Sequence, residues 1–60
     1  MNDKPIIIEC DYRKWCISQF RGKYYLEEVT QPSGDFRHIT TEENLLDVFR
    51  KLTKIIERGL

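Results

Sequence analysis

One histidine, two cysteines and two adjacent glutamate pairs are the residues of this 60-residue chain that could do covalent or acid–base chemistry. They are His38, Cys10, Cys16, Glu27-Glu28 and Glu42-Glu43. A nucleophile needs a base beside it and a third group to orient that base. Here His38 is the only imidazole, and it is expected on the surface just before a helix. Cys10, Cys16 and His38 make at most three soft ligands, without the C-x2-C spacing of a zinc site. Glu27 and Glu28 are neighbours on an expected strand, so they point to opposite faces and cannot work on one substrate. Glu42 and Glu43 are accounted for by the start of a helix. No G-x-G-x-x-G stretch or Walker loop is present. A chain this short is also too small to enclose a pocket of the usual few hundred Å³. The expectation is a non-enzymatic protein with no catalytic residue, no cofactor and no metal.

A different kind of chemistry is offered by residues 12–25, "YRKWCISQFRGKYY". Arg13, Lys14, Arg21 and Lys23 stand there without an acid among them, interleaved with Trp15, Phe20, Tyr24 and Tyr25. Cations and rings in that mixture can follow a phosphate backbone while stacking bases. Cations also decorate turns and sheet edges for solubility, where lysine discourages edge pairing. Asp11, Glu27 and Glu28 flank the window. The whole chain balances ten basic against ten acidic residues, and each half, 1–30 and 31–60, balances five against five. No bulk positive field exists to hold nucleic acid non-specifically.

The surrounding composition fits one small globular domain spanning residues 1–60, with 40% hydrophobic and 33% charged residues. A chain of this size buries only about 60% of the surface its unfolded form exposes. Small scaffolds of this kind commonly rely on a disulfide, a metal or a partner. "PIIIEC" is too short for a signal peptide core, and nothing approaches the ~20 apolar residues of a membrane span. No membrane partner and a cytoplasmic location are expected. Cys10 and Cys16 should then be semi-buried structural thiols. A bridge between them is geometrically open if their strands are neighbours.

The elements that would position these residues can be read from periodicity. "MNDK" is a polar, frayed start. "IIIEC", residues 6–10, is β-branched and too short for a stable helix, so it reads as a strand. "DYRK", residues 11–14, reads as a turn, and "WCISQF", residues 15–20, as the second strand. Arg21-Gly22 supplies a two-residue hairpin loop, although Arg is a poorer first turn residue than Asn or Asp. "KYYLEEV", residues 23–29, is the third strand. "TQPSGD", residues 30–35, is a loop. "FRHI", residues 36–39, adds a possible short fourth strand. Thr40 followed by Glu43 forms a capping box for a helix over 41–58, with Gly59 as its stop. Leu45, Val48, Phe49, Leu52, Ile55 and Ile56 make its apolar stripe, and Leu46 falls outside it. Such a helix would span about 27 Å. The fold class is α+β: a three- or four-stranded antiparallel sheet with one C-terminal helix packed on one face.

A two-residue loop at Arg21-Gly22 pairs Phe20 with Lys23, Gln19 with Tyr24, Ser18 with Tyr25 and Ile17 with Leu26. Alternation then places Trp15, Ile17, Tyr24 and Leu26, with Gln19 and Glu28, on one face. Cys16, Phe20, Tyr25 and Val29, with Lys14, Ser18, Lys23 and Glu27, take the other. In the first strand Ile6 and Ile8 share a face and Ile7 takes the opposite one. One helix can cover only one face, and the Trp15 face is the more apolar. The second face is left aromatic and uncovered unless loop 30–35 folds back on it or its rings lean over the sheet edge. Exposed apolar patches of a few hundred Å² mark interaction sites.

"FRGKYYLEE" followed by "ITTEENLLDVF" resembles the single-stranded-DNA-binding transcriptional coactivator family, with an aromatic-x-Gly-Lys hairpin, a loop and an Ile-Ser-Leu-Thr-type lead into a helix. The similarity covers residues 13 to 52. It implies a homodimer with a basic β-surface for single strands, and places Arg21, Lys23 and Tyr25 against nucleic acid. This chain departs from that pattern in "EVTQ", which replaces a basic-aromatic stretch. It departs again in "RHIT", which lacks the Lys-Gly, and in the added strand "IIIEC".

Two function classes follow. The leading one is a small regulatory binding protein acting through protein–protein contact as a homodimer, inhibitor or adaptor. Its surface would be Phe20, Tyr25 and Val29, with Arg21 and Lys23 at the rim; aromatics and Arg are the usual anchors. The alternative is a nucleic-acid-binding module using Arg13, Lys14, Arg21, Lys23 and Tyr25.

Overall fold

A computed structural model describes residues 4–59. The expected frayed start lies, for residues 1–3, outside the described part. Four strands, β1 (Ile6–Cys10), β2 (Arg13–Phe20), β3 (Lys23–Val29) and β4 (Phe36–Glu42), precede one helix, α1 (Leu45–Gly59). The strands form an antiparallel meander in the order β1-β2-β3-β4. The fold is therefore α+β with four strands, and β4 is longer than the short "FRHI" segment expected.

The two-residue loops set the registers. Arg21 and Gly22 both adopt positive φ, 53° and 77°, as a turn matched to the twist of a hairpin requires. Arg21 holds this conformation although it carries a Cβ. Phe20 then faces Lys23 and Ile17 faces Leu26, as alternation predicted. The first turn is tighter than "DYRK" implied. Cys10 pairs with Arg13, so only Asp11 and Tyr12 lie outside the ladder. Asp11 takes a φ of 56°, which Asp tolerates better than most residues.

The helix start requires a correction. Thr40 is not an N-cap: Thr40, Thr41 and Glu42 belong to β4, opposite Leu26, Tyr25 and Tyr24. Asn44 takes the cap position before Leu45, and its carbonyl accepts the Asp47 N–H at 3.2 Å. Strand pairing of the β-branched pair Thr40-Thr41 prevails over local capping. Thr40 and Glu42 still bond to each other, with the Thr40 hydroxyl 2.7 Å from Glu42 Oε2. They do so beside Lys51 of the helix rather than at its N-terminus. The helix, 15 residues long, spans about 22 Å at ~1.5 Å per residue.

Its stripe lands where expected. Val48 and Leu52 are buried with Trp15, Ile17 and Leu26, and Leu45, Phe49, Ile55 and Ile56 pack around them. Leu46 is 61% exposed. Burying side chains of this kind contributes roughly 1.5–3 kcal/mol each. Five buried residues make a small core, in keeping with the size of the chain. The Trp15 Nε1–H is buried without a hydrogen-bond acceptor among the described residues. Such a donor costs about 1–3 kcal/mol, which the large ring offsets by the apolar area it removes from water.

Candidate functional site

The helix covers the face of Trp15, Ile17 and Leu26. The other face of the sheet has no layer over it among the described residues. Its rows follow from the registers. Glu9, Lys14, Val29 and Phe36 cross the sheet at one end, and Ile7, Cys16, Glu27 and His38 form the next row. Ser18, Tyr25 and Thr41 come next, and Phe20 and Lys23 close the hairpin end. Ile7, Phe20 and Phe36 are 51%, 59% and 63% exposed. Tyr25, Val29 and Cys16 are half-buried. The loop 30–35 does not fold back over these rings. It closes on itself, with the Thr30 N–H donating to the Asp35 carbonyl at 2.7 Å and the Gly34 N–H to the Thr30 carbonyl at 2.6 Å. It also lies at the sheet end opposite Phe20.

The expected surface residues share one face but span it, with Val29 at one end and Phe20 at the other. Phe20, Tyr25, Val29 and Lys23 share the uncovered face. Arg21 sits at the hairpin tip with its guanidinium 5.2 Å from the Phe20 ring centre. The sequence reading missed Phe36 and His38 as members of this face, because the possible strand "FRHI" was given no register against the third strand across the loop 30–35. The signal was there in the alternation "FRHITTE". Tyr25 and His38 bring their rings to 6.3 Å. His38 Nδ1 lies 3.8 Å from Glu27, and its Nε2 lies 3.2 Å from the Thr41 hydroxyl.

Charges on the face are mixed in sign. Lys14 meets Glu9 at 3.6 Å. Cys16, Glu27 and His38 form one row, with the carboxylate between thiol and imidazole. With strands ~4.8 Å apart, the thiol and imidazole stand about 10 Å from each other. A Cys–His pair needs direct contact. Burial, and then the Glu27 carboxylate, push the Cys16 thiol up from its ordinary value, away from the reactive thiolate. Cys10 points to the helix side and Cys16 to the uncovered side, and both thiols are free. The intrachain bridge left open by the sequence is ruled out by this parity. Among the described residues no group of three potential ligands could hold a metal ion, and no helix is long and apolar enough to cross a membrane.

The five candidate nucleic-acid contacts are not gathered on one surface. Lys14, Lys23 and Tyr25 lie on the uncovered face and Arg21 at its tip. Arg13 turns to the helix side, where its Nε and Nη2 each donate to Glu28 at 3.0 Å. Arg37 Nη2 donates to the same carboxylate at 3.0 Å. Arg13 also lies 5.0 Å from the Trp15 ring centre. The hydrogen bonds from Arg13 hold the Glu28 carboxyl below its usual value against the opposing effect of burial, and the Arg37 bond adds to the lowering. This cluster closes the rim of the core. The register alone contained its signal, because Trp15 and Glu28 are direct cross-strand partners.

No family model, curated protein or solved structure matches this chain.

Proposed function

We propose that this chain is a small non-enzymatic binding protein, regulatory in role, that works through protein–protein contact at the uncovered face of its sheet. One observation carries the reading: a four-stranded sheet with a single helix leaves Ile7, Phe20 and Phe36 more than half exposed on the same side. The molecule measures 31 by 24 by 15 Å. The thin dimension is that of one sheet and one helix layer. The broad outline, 31 by 24 Å, encloses at most about 740 Å², near the ~800 Å² that each partner contributes to a standard interface.

The charge pattern favours a protein over a polyanion as the occupant. Glu9 and Glu27 lie on the same face as Lys14 and Lys23, and Lys14 is already paired. A phosphate backbone would meet both carboxylates. A protein surface of mixed charge around apolar residues would match the pattern, with the rings as anchors and the ions as a polar rim. The resemblance to the coactivator family implies the other reading, in which Arg21, Lys23 and Tyr25 at the hairpin end would carry single strands.

The test uses Phe20→Asp combined with Tyr25→Asp, and Leu46→Asp as a control at an equally exposed leucine on the helix. Wild type and control should retain the same partner in quantitative affinity capture, while the double variant, with an unchanged amide spectrum, loses at least about 90% of it. A 1.4 kcal/mol loss is already tenfold in affinity. Equal retention by the double variant would remove the reading, as would its unfolding. Titration with single- and double-stranded DNA at low and high salt separates the alternative. Binding with a steep log–log salt slope, about −0.7 to −0.9 per phosphate contacted, would replace the protein partner with nucleic acid.

A further inference from the structure

The two edges of the sheet differ in a way that the face does not explain. β4 is irregular: its pairing with β3 shifts between Leu26 and Glu27, leaving Ile39 as the extra residue of a bulge. Arg37 and His38 stand on the same strand. Bulges and charges are the devices by which natural sheets keep other strands off an edge. β1 has neither. It pairs residue for residue with β2 from Ile6 to Cys10, and among the described residues no other strand lies along its far side. Three consecutive isoleucines and a single charge, Glu9, make up most of it. Ile6 and Ile7 are 41% and 51% exposed.

The hydrogen-bonding pattern of this edge follows from its turn. In a two-residue loop the flanking residues, Cys10 and Arg13, exchange the closing hydrogen bond. Alternation then makes Ile8–Trp15 and Ile6–Ile17 hydrogen-bonded pairs, and Glu9–Lys14 and Ile7–Cys16 non-bonded pairs. The N–H and C=O groups of Ile7 and Glu9 therefore point outward, away from β2. These four groups are a self-complementary set. A second β1, antiparallel and centred on Ile8, sets Ile7 against Glu9 of the other copy and Glu9 against its Ile7. Every outward donor then meets an outward acceptor. Centring on Ile7 instead would oppose Glu9 to Pro5, which has no N–H to give. In the Ile8-centred register no like charges face each other across the seam, and the net charge of zero opposes no approach of two copies.

We propose that β1 is a strand-addition edge whose occupant is the β1 of a second copy, giving a two-fold dimer with one continuous eight-stranded sheet. The two-fold axis is perpendicular to the sheet, so both helices lie on one side and both uncovered faces on the other. Beneath the seam Ile8 meets Ile8 of the other copy, and Ile6 of each copy meets Cys10 of the other. The uncovered face is doubled in width and none of it is hidden. This proposal stands apart from the function of that face, since it rests on backbone groups and is read by mass.

The experiment is light scattering on eluted protein, with amide exchange on the same samples. The monomer mass is 7.3 kDa. At about 0.1–1 mM the wild type should run at twice that mass, and the Phe20→Asp, Tyr25→Asp protein should do the same. Ile7→Pro and Glu9→Pro each delete one outward N–H without touching a bond to β2. Each should return the mass to the monomer. In the wild type the Ile7 and Glu9 amides should gain protection as concentration rises. A wild type that stays monomeric to ~1 mM would sink the proposal. So would a dimer that survives both prolines, or one whose Ile7 and Glu9 amides exchange freely. If the proline variants fail to fold, the exchange result on the wild type decides alone. A monomer that takes up an extended peptide in place of its own copy would overturn the self-pairing.

Discussion

The two faces of this sheet are built from the same strands and the same alternation, yet they are sorted to different degrees. On the helix side the centre is apolar: Trp15, Ile17 and Leu26 are all at most 2% exposed. Its polar residues are pushed to the perimeter and tied to one another, as in Arg13–Glu28–Arg37 and Thr40–Glu42–Lys51. On the other side apolar and charged residues share the centre, and Glu27 sits between Cys16 and His38. A buried charge must find a partner or leave. A face left to water is under no such pressure, and its apolar content is what the proposed contact role would account for. Antiparallel sheets of one-sided proteins normally alternate apolar in and polar out. Departure from that alternation on one side alone separates the residues that build the core from those that, on the proposed reading, are kept for contact.

The largest effect that would test this division is expected at Leu26. It is fully buried under the helix, and truncating such a leucine costs about 2–5 kcal/mol. Domains below ~70 residues rarely hold more than 3–5 kcal/mol in reserve. Leu26→Ala should therefore be largely unfolded at room temperature, as read by far-ultraviolet dichroism and urea titration. A loss under ~1 kcal/mol would mean that the helix does not seal this face in solution.

The perimeter comes next. Glu28 accepts two bonds from Arg13 and one from Arg37, and its side chain is 16% exposed. Hydrogen bonds to charged groups contribute about 1.5–3 kcal/mol where they are shielded, and less toward the surface. Glu28→Gln should cost about 1–2 kcal/mol at neutral pH on that basis. The folded-state value of Glu28 lies below its ordinary 4.5. Its contribution is therefore complete above the unfolded value and is lost as pH falls through the lower folded one. The wild type should lose stability below about pH 4.5 more steeply than Glu28→Gln. Parallel acid limbs would show that the carboxylate is not held as the geometry indicates.

How far the sequence exposed this division depends on which interaction decided each element. The hairpin register and the identity of the covered face were legible, because a two-residue loop and a period of two leave one solution once Trp15, Ile17 and Leu26 must face the same way. The helix stripe was legible for the same reason. The helix start was not. Thr40 and Glu43 form a good local cap, and only cross-strand pairing of Thr40 with Leu26 and Thr41 with Tyr25 overrides it. That pairing passes through a bulge at Ile39, which periodicity cannot foresee. The uncovered surface was read as Phe20, Tyr25 and Val29 without Phe36 or His38 because loop 30–35 left the register of "FRHI" against the third strand open, although its alternation put those two residues on one side. The rim cluster at Glu28 was missed because Arg13 was assigned to a turn, when it is the first residue of β2.

The smallest expected effect is the one that bears most directly on the comparison. Phe20 has as large an apolar side chain as most of the core, but it is 59% exposed, with the Arg21 guanidinium 5.2 Å from its ring centre. Exposed cation–π contacts are worth about 0.5–1 kcal/mol, and surface substitutions usually stay within about 0.5 kcal/mol. Phe20→Ala should shift the urea midpoint of a dilute sample by no more than that, several-fold less than Leu26→Ala. Repeating the titration across a hundredfold range of protein concentration adds a second condition. If Phe20 supports only a contact surface, the small difference stays small in dilute protein. A cost near that of Leu26→Ala, growing with concentration, would mean that the subunit folds only with its uncovered face already occupied. The two faces would then be two halves of one core, and the division between stability and contact would fail at the residue on which it depends most.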